Sequence, residues 1–133
     1  MRKAVNNIIV NKEGRILIIK RATRKEKAYP GLWDLPGGGV EEGETLQETA
    51  KREAMEEVSL EIEPAQDCFY VYHYEDKDLY VYGMISETNS ANVTLSEAHT
   101  EFKWISKDEY KNFEYTPSVG ATIREFFERK KPL

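Results

Sequence analysis

The amino-acid sequence predicts an α/β fold in which a mixed β-sheet lies between helices. Apolar, β-rich runs and helical segments follow one another in the order strands, helix, strands, helix. Both long helical segments begin with recognisable capping residues. No repeat, linker or low-complexity stretch interrupts the chain, so residues 1–133 are predicted to form one domain.

Composition limits the class of protein. The formal net charge is −5, with 24 acidic and 19 basic residues, which offers no broad electrostatic footprint for a nucleic acid and is compatible with binding divalent cations. Cys68 is the only cysteine, as expected for a reduced cytoplasmic setting. No signal-peptide pattern or apolar stretch of membrane-spanning length is present, so no membrane partner is expected. A monomer and a homodimer are both compatible with the sequence.

The first strands are predicted from two apolar runs at 4–10 and 15–20. Asn11-Lys12-Glu13-Gly14 between them is a hairpin signal. A polar, basic stretch follows. Residues 33–35 are then predicted to form a short strand, which ends at Pro36 and three glycines.

The clearest helix is predicted to begin after Thr45. Thr45 and Glu48 have the spacing of a capping box, and good helix formers continue to Val58. Residues 68–74 and 79–85 are β-rich runs around a polar turn, which predicts a second hairpin.

The last third is predicted to contain a polar loop over roughly 87–100 and a strand over 101–105. Ser106 with Glu109 is the pattern of a capped short helix. Thr116-Pro117 occupies the N-cap and first-turn positions of the last helix. The apolar stripe of this helix is formed by Ile123, Phe126 and Phe127.

A glycine-rich loop leads into the first helix and suggests phosphate binding. Gly38 and Gly43 have the glycine spacing of a P-loop, but Glu44 stands where a P-loop requires lysine. Because a carboxylate repels phosphate, the P-loop interpretation fails. Phosphate is instead predicted to be held through metal ions bridging it to carboxylates.

The carboxylates for such a site lie on the helix. Glu53, Glu56 and Glu57 share one face, and at about 100° per residue Glu53 and Glu57 fall on the inward stripe of Leu46 and Ala50. Buried carboxylates are costly unless a positive charge compensates them, and oxygen ligands suit Mg²⁺ or Mn²⁺. A solvated acidic face is the ordinary explanation for an isolated pattern of this kind.

Arg52 lies beside these acids and is predicted to pair with Glu44, which would fix the loop against the helix. The alternative is a surface ion pair of little energetic worth. Together, Gly38, Glu44 and the segment 52–60 resemble the Nudix box, G-x5-E-x7-R-E-U-x-E-E-x-G-U, in which U is a bulky aliphatic residue. Six charged or glycine positions match at fixed spacing.

Two positions depart from the box. Ala54 is small where an aliphatic residue is usual, and Ser59 replaces the final glycine. At the C-terminal end of a helix, a serine in the left-handed backbone conformation lowers stability by about 1 kcal/mol relative to glycine. Residues 31–38 and 101–106 also resemble the approach to the box and the late strand of this family. Nearly the whole chain is therefore similar to a minimal, MutT-like member of the Nudix superfamily, which implies a Nudix-type α/β/α sandwich.

The resemblance implies Mg²⁺-dependent hydrolysis of a nucleoside diphosphate linked to another group. It places Mg²⁺, with Mn²⁺ as an alternative, on Glu53, Glu56 and Glu57, helped by a backbone carbonyl in Gly37-Gly38. Bound metal would polarise phosphoryl oxygens and lower the pKa of an attacking water. The general base is either Glu53 or a glutamate outside the box, for which Glu97 is the candidate; a solvated loop acid is the alternative for Glu97.

Candidate substrate contacts are less specific. Tyr72 and Tyr82, on the second hairpin, could stack on a nucleobase, but tyrosines are also common in half-buried strands. Arg21 and Arg24 follow the second strand and could reach phosphates, or could lie in a solvated loop.

Three functions stay open at this stage. A nucleoside triphosphate giving a monophosphate and pyrophosphate is favoured, because the prolines that ADP-ribose and NADH hydrolases carry beyond the box are absent here. ADP-ribose or a nucleotide sugar is the alternative substrate. A non-catalytic nucleotide-binding Nudix module would be expected to have lost metal ligands, and all three glutamates are present.

Overall fold

The structure is a computed structural model that describes residues 1–23 and 29–129. Within these residues, none of the helices has the length and apolar character needed to cross a membrane. The strands and α-helices are β1 Arg2–Val10, β2 Ile16–Arg21, β3 Trp33–Asp34, β4 Gly37–Gly39, α1 Leu46–Val58, β5 Glu63–Pro64, β6 Tyr70–Tyr74, β7 Leu79–Glu87, β8 His99–Ile105 and α2 Pro117–Glu128.

The sheet is mixed, as predicted. Its centre is the parallel pair β1 and β7, which runs in register from Arg2 opposite Leu79 to Val10 opposite Glu87. The other strand pairs are antiparallel: β2 pairs with β1, β3 and β8, β4 pairs with β1, and β7 pairs with β5 and β6. The two predicted hairpins, β1–β2 and β6–β7, are both confirmed.

Helices cover both faces of this sheet. Leu17 and Ile19 of β2 pack in the core beneath α1, whereas Ile16 and Ile18 pack in the core beneath α2. This alternation explains why β2 is an uninterrupted apolar run, since a strand covered on both faces needs apolar side chains in both directions. The predicted α/β/α sandwich is confirmed.

Helix α1 begins and ends as predicted. The Thr45 Oγ1 accepts a hydrogen bond from the Glu48 amide at 3.1 Å, and the Glu48 carboxylate accepts from the Thr45 amide at 2.8 Å, which is a complete capping box. Ser59 follows the last helical residue in the left-handed conformation, with φ of 59°.

The other helix starts differ from the expected pattern. Thr116 is the N-cap of α2, but its side chain makes no capping hydrogen bond; the Tyr74 hydroxyl accepts from the Ser118 amide instead, at 2.9 Å. The short helix after Ser106 is a 3₁₀ turn, Tyr110–Asn112, and the Glu109 carboxylate accepts from Ser106 as the cap pattern implied.

Two short strands, β4 and β5, were not predicted from the sequence. Glycine has low strand propensity, so nothing in the sequence of β4 indicates a strand. It forms because Gly37, Gly38 and Gly39 pair with Asn6, Val5 and Ala4 of β1. Strand β5 likewise exists through its pairing with β7. Strand β8 also begins at His99, ahead of the predicted 101–105.

Candidate active site

The site is built where α1 lies against the glycine strand β4. The Gly37 amide donates a hydrogen bond to the Glu57 carboxylate at 2.7 Å. A Cβ atom on Gly37 would lie 2.0 Å from the Val5 carbonyl oxygen, and one on Gly38 would lie 2.6 Å from the Glu53 carboxylate. A Cβ on Gly37 would overlap backbone and one on Gly38 would have to displace the Glu53 side chain, whereas among the described residues a Cβ on Gly39 would meet nothing within 4 Å.

Small residues on α1 permit this approach. Ala50 and Ala54 are fully buried, with 0% exposure. The Asn7 side-chain amide of β1 donates to the Ala50 carbonyl at 3.1 Å and ties the helix to the centre of the sheet. Larger side chains here would push α1 away from β4 and break the contact between Gly37 and Glu57.

Glu57 is a carboxylate held largely out of water. Burial raises its pKa to about 8, and the negative charges of Glu53 and Asp34 add to this. The Gly37 amide and the positive charge of Arg21 act in the opposite direction without offsetting the burial. An acid in this environment is strongly stabilised by an added cation.

Glu53 and Glu56 lie as their helical positions predict. The Glu53 side chain is 13% exposed and the Glu56 side chain 57% exposed, so Glu53 points inward and Glu56 lies at the edge. Burial raises the pKa of Glu53, and the Arg52 guanidinium, 2.7 Å away, opposes that rise. Arg52 also reaches Glu56 at 3.4 Å.

Arg52 joins the helix to the loop before it. Its Nε and Nη2 donate to the two carboxylate oxygens of Glu44 at 2.7 and 3.0 Å, and its Nη2 also donates to the Gly39 carbonyl at 2.9 Å. Hydrogen bonds from Arg52 and from the Glu41 amide lower the pKa of Glu44 to about 2. This two-point contact is more specific than a single surface ion pair, and its geometry matches the predicted support of the loop.

The residues present fit a hard divalent cation by chemistry. Glu53, Glu56 and Glu57 offer only oxygen donors, and the two inward acids have raised pKa values. Within residues 1–23 and 29–129, no three acidic, His or Cys side chains converge closely enough to hold a metal ion. The Glu53 carboxylate accepts a hydrogen bond from the Arg52 guanidinium through Oε1, at 2.7 Å.

A cleft of about 250 Å³ opens beside these acids. Gly37, Gly38 and Glu57 line it at the side of α1, and Arg21 and Asp34 form part of its wall. At the start of α2 the polar lining residues are Tyr74, Lys77, Thr116 and Ser118. The cleft therefore connects a candidate metal site with hydrogen-bonding groups that could hold the rest of a substrate.

Of the residues predicted to contact substrate, only some line the cleft in the described part of the chain. Arg21 lines the cleft and donates to the Asp34 carboxylate at 2.7 Å. Arg24 lies outside the described residues. Tyr72 pairs with Val81 and Tyr82 pairs with Val71, so the two tyrosines lie on opposite faces of the hairpin and do not form one surface.

Tyr74, rather than Tyr72 or Tyr82, is the hairpin tyrosine that lines the cleft. The Lys77 ammonium lies 4.5 Å from the centre of its ring. The strand alternation that groups Tyr72 with Tyr74 was visible in the sequence, but the contact between Tyr74 and α2 was not. Asp34 and Ser118 carried no sequence signal of their own.

Glu97 is exposed, in the loop before β8. The neighbouring Ser96 amide donates to the Glu57 carbonyl at 3.0 Å, so the loop runs along the end of α1. The role of Glu97 as general base stays a prediction. Glu101 pairs with Lys20 at 3.5 Å.

The α/β/α sandwich, the glycine strand and the acidic helix together define a Nudix domain. The NUDIX domain family model matches residues 1–127, and the chain belongs to this family. It is a Nudix hydrolase of the MutT-like branch. Members of this family generally use divalent metal ions.

Individual relatives agree with this assignment. The nucleoside triphosphatase NudI of Klebsiella pneumoniae is 30% identical over 129 residues, covering 88% of this chain and 91% of the relative. The crystal structure of a MutT protein from Methanosarcina mazei Go1 is 31% identical, with a TM-score of 0.75, and the match covers 96% of this chain and 91% of that one. A NUDIX hydrolase from Nitrosomonas europaea, 22% identical, matches in fold with a TM-score of 0.85 over 97% of this chain and 71% of its own.

Proposed function

We propose that this Nudix hydrolase cleaves nucleoside triphosphates into a monophosphate and pyrophosphate in a Mg²⁺-dependent reaction. The observation that carries the proposal is the partly buried Glu57 carboxylate, held by the Gly37 amide at one side of a cleft. The choice of triphosphate is supported by the similarity to a protein named as a nucleoside triphosphatase.

Glu53, Glu56 and Glu57 would hold Mg²⁺, or Mn²⁺, together with a backbone carbonyl of Gly37 or Gly38. Bound there, the ion supplies polarisation of phosphoryl oxygens and a lower pKa for a nucleophilic water. Arg52 orients Glu53 through the contact at 2.7 Å and holds the preceding loop through Glu44.

Other residues act on the substrate and on the water. Arg21, in the wall of the cleft, is proposed to contact phosphate oxygens, since a guanidinium matches their geometry. Glu53 or Glu97 takes the proton from the attacking water. Glu53 is the better placed of the two by its burial beside Glu57, and Glu97 has the advantage of not being needed as a metal ligand.

A substrate panel tests the reaction. Canonical and oxidised nucleoside triphosphates, ADP-ribose and dinucleoside polyphosphates are incubated with Mg²⁺ or with chelator, and the products are separated by chromatography. Monophosphate and pyrophosphate from a triphosphate, formed only with metal, are expected. Preference for ADP-ribose would replace the proposed substrate. Activity in chelator would contradict the metal mechanism, and no turnover of any substrate would favour a nucleotide-binding module.

A pair of glycine variants tests the site itself. In Gly38→Ala the new methyl group must displace the Glu53 carboxylate, so turnover is expected to fall at least about tenfold. Gly39→Ala, one residue further along the same strand, adds a methyl group that meets none of the described residues within 4 Å and should retain activity. Equal activity of the two variants would show that the position of Glu53 is unimportant.

The general base is tested by Glu97→Gln and Glu53→Gln. If Glu97 is the base, Glu97→Gln lowers kcat and leaves the Mg²⁺ concentration needed for half-maximal rate unchanged. Glu53→Gln should raise that Mg²⁺ concentration, because Glu53 is proposed as a metal ligand. Normal turnover of Glu97→Gln assigns the base to Glu53 or to another group.

A further inference from the structure

His99 is a buried histidine that the proposed reaction does not use. It begins β8, and its side chain is 3% exposed. Within residues 1–23 and 29–129, neither ring nitrogen has a hydrogen-bond partner. Burying a polar ring without partners costs stability, and an apolar side chain of similar size would avoid that cost. A role connected with a neighbouring polar group would explain why the position holds histidine.

The neighbouring polar group is Asp34. The His99 Nε2 atom lies 3.8 Å from an oxygen of the Asp34 carboxylate. Strand β2 brings the two residues together, because Ile19 pairs with Asp34 of β3 and Arg21 pairs with His99 of β8. The separation is longer than a hydrogen bond, and a side-chain movement of less than about 1 Å closes it.

Asp34 in turn holds Arg21 at the wall of the cleft. The oxygen that faces His99 accepts from the Arg21 Nη1 at 2.7 Å, and the other oxygen accepts from the Leu35 amide at 2.8 Å. The Asp34 side chain is 15% exposed, and both Asp34 and Arg21 line the cleft beside Glu57. A largely buried carboxylate accepts several hydrogen bonds readily, so a third donor has a place here.

We propose that His99 is a positioning residue, which donates a hydrogen bond from Nε2 to Asp34 and thereby fixes the orientation of Arg21 toward an anionic substrate. The substrate part of this inference rests on the proposed function, in which Arg21 meets phosphate. The contact between His99 and Asp34 does not depend on that function. Two experiments therefore address the two parts separately.

The contact is tested by NMR of the histidine rings in the full-length protein. The chain has two histidines, and His73, which is exposed and stacks on Tyr80 at 4.0 Å, is the internal reference. With ¹⁵N-labelled histidine, the His99 Nε2 is expected to carry a proton. Asp34→Asn should shift the His99 ring signals and leave those of His73 in place. An unprotonated Nε2, or His99 signals that Asp34→Asn leaves unchanged, would overturn the inference.

The effect on substrate is tested with His99→Leu and His99→Gln. Loss of a hydrogen bond to a charged group predicts a rise in KM of about tenfold for His99→Leu, with kcat changed less than about twofold. His99→Gln keeps an N–H donor near the position of Nε2 and should restore KM. In an Asp34→Asn background, His99→Leu should cause no further rise, because His99 acts through Asp34.

Melting temperatures of all variants show that the fold is retained. An unchanged KM in His99→Leu, or additive effects in the double variant, would contradict the positioning role. If the wild-type chain hydrolyses no nucleotide, the proposed function fails, and the NMR measurement still decides whether His99 is bound to Asp34.

Discussion

Helices α1 and α2 cover opposite faces of one sheet with almost equal lengths, 13 and 12 residues, but they differ in what they bury. Against the sheet, α1 places Ala50 and Ala54, with the Glu57 carboxylate beside them. Helix α2 places Val119 and Ile123 there, with exposures of 1% and 0%. The contact face of α1 therefore lies beside a carboxylate of the site, whereas that of α2 is mainly apolar and contributes Ser118 to the cleft.

The close contact of α1 with β4 accounts for the small residues on its buried face. The hydrogen bond from the Gly37 amide to Glu57 requires α1 to lie near β4, which small residues allow. Burying Glu53 and Glu57 raises their pKa values, which is a cost to stability at neutral pH. Helix α2 carries no acid on its buried face, and apolar packing there contributes stability. Variants of the two helices should therefore have opposite effects.

The largest effect is expected for Glu57→Gln. Mutating a residue that only hydrogen-bonds to a metal ligand lowers metal affinity or activity by up to about 100-fold. Removing a ligand itself should lower kcat/KM at saturating Mg²⁺ by more than this. Glu61→Gln, which changes an exposed acid just beyond α1, is the control and should behave as wild type. A Glu57→Gln protein that keeps more than about a tenth of the activity would remove Glu57 from the metal site.

The next largest effect is a dependence of the free energy of unfolding on pH, measured with a chelator present so that no metal is bound. The pKa of Glu57 is about 8 in the folded protein, against 4.5 for an unperturbed glutamate. Between these values the folded state binds the proton and the unfolded state does not, so the contribution of Glu57 to stability falls as pH rises from about 4.5 to 8. Urea unfolding across this range should show the fall, and Glu57→Gln should reduce it. An identical profile in the variant would contradict the assignment.

Ile123→Ala tests whether the buried face of α2 contributes to stability rather than to activity. Truncating a fully buried isoleucine should lower the free energy of unfolding by about 2–5 kcal/mol, and Ile123→Val by about 0.5–1.5 kcal/mol. Activity per folded molecule, measured well below the melting temperature, should remain near wild type. A large loss of kcat with little loss of stability would mean that α2 shapes the site as much as α1 does.

The smallest effect concerns the end of α1. Ser59 has a left-handed backbone, which glycine adopts without strain, so Ser59→Gly should raise stability by up to about 1 kcal/mol. The Ser59 hydroxyl also donates to the Thr94 carbonyl at 3.4 Å, and loss of this weak contact offsets part of the gain. Ser59→Ala removes the hydroxyl and keeps the strain, so thermal unfolding of both variants separates the two terms. A lower melting temperature for Ser59→Gly would show that the hydroxyl matters more.

Features set by local spacing were predictable from the sequence. The capping box at Thr45, the inward direction of Glu53 and Glu57 and the pairing of Arg52 with Glu44 depend on helical periodicity and fixed offsets. Features set by distant pairing were not. The strand at 37–39 exists because β1 lies beside it, and the sequence of three glycines does not reveal that neighbour.

The substrate region was the hardest part to predict. Alternation along β6 groups Tyr72 with Tyr74, but the position of α2, which brings Ser118 to the Tyr74 hydroxyl, depends on packing across the sheet. Asp34 and His99 come from separate strands and meet through β2. The single domain, the cytoplasmic location, the choice between monomer and homodimer and the role of Glu97 stay predictions.

The parallel pairing of β1 with β7 also has a consequence for how the chain folds. Residues 2–10 are synthesised before their partner at 79–87 and before every residue of α1. Pairing between segments so far apart in sequence slows folding. The entropy cost of closing the intervening chain into a loop comes before the strand pairing can stabilise the structure. The contact between Gly38 and Glu53 cannot form until β1 has paired with β4 and β7.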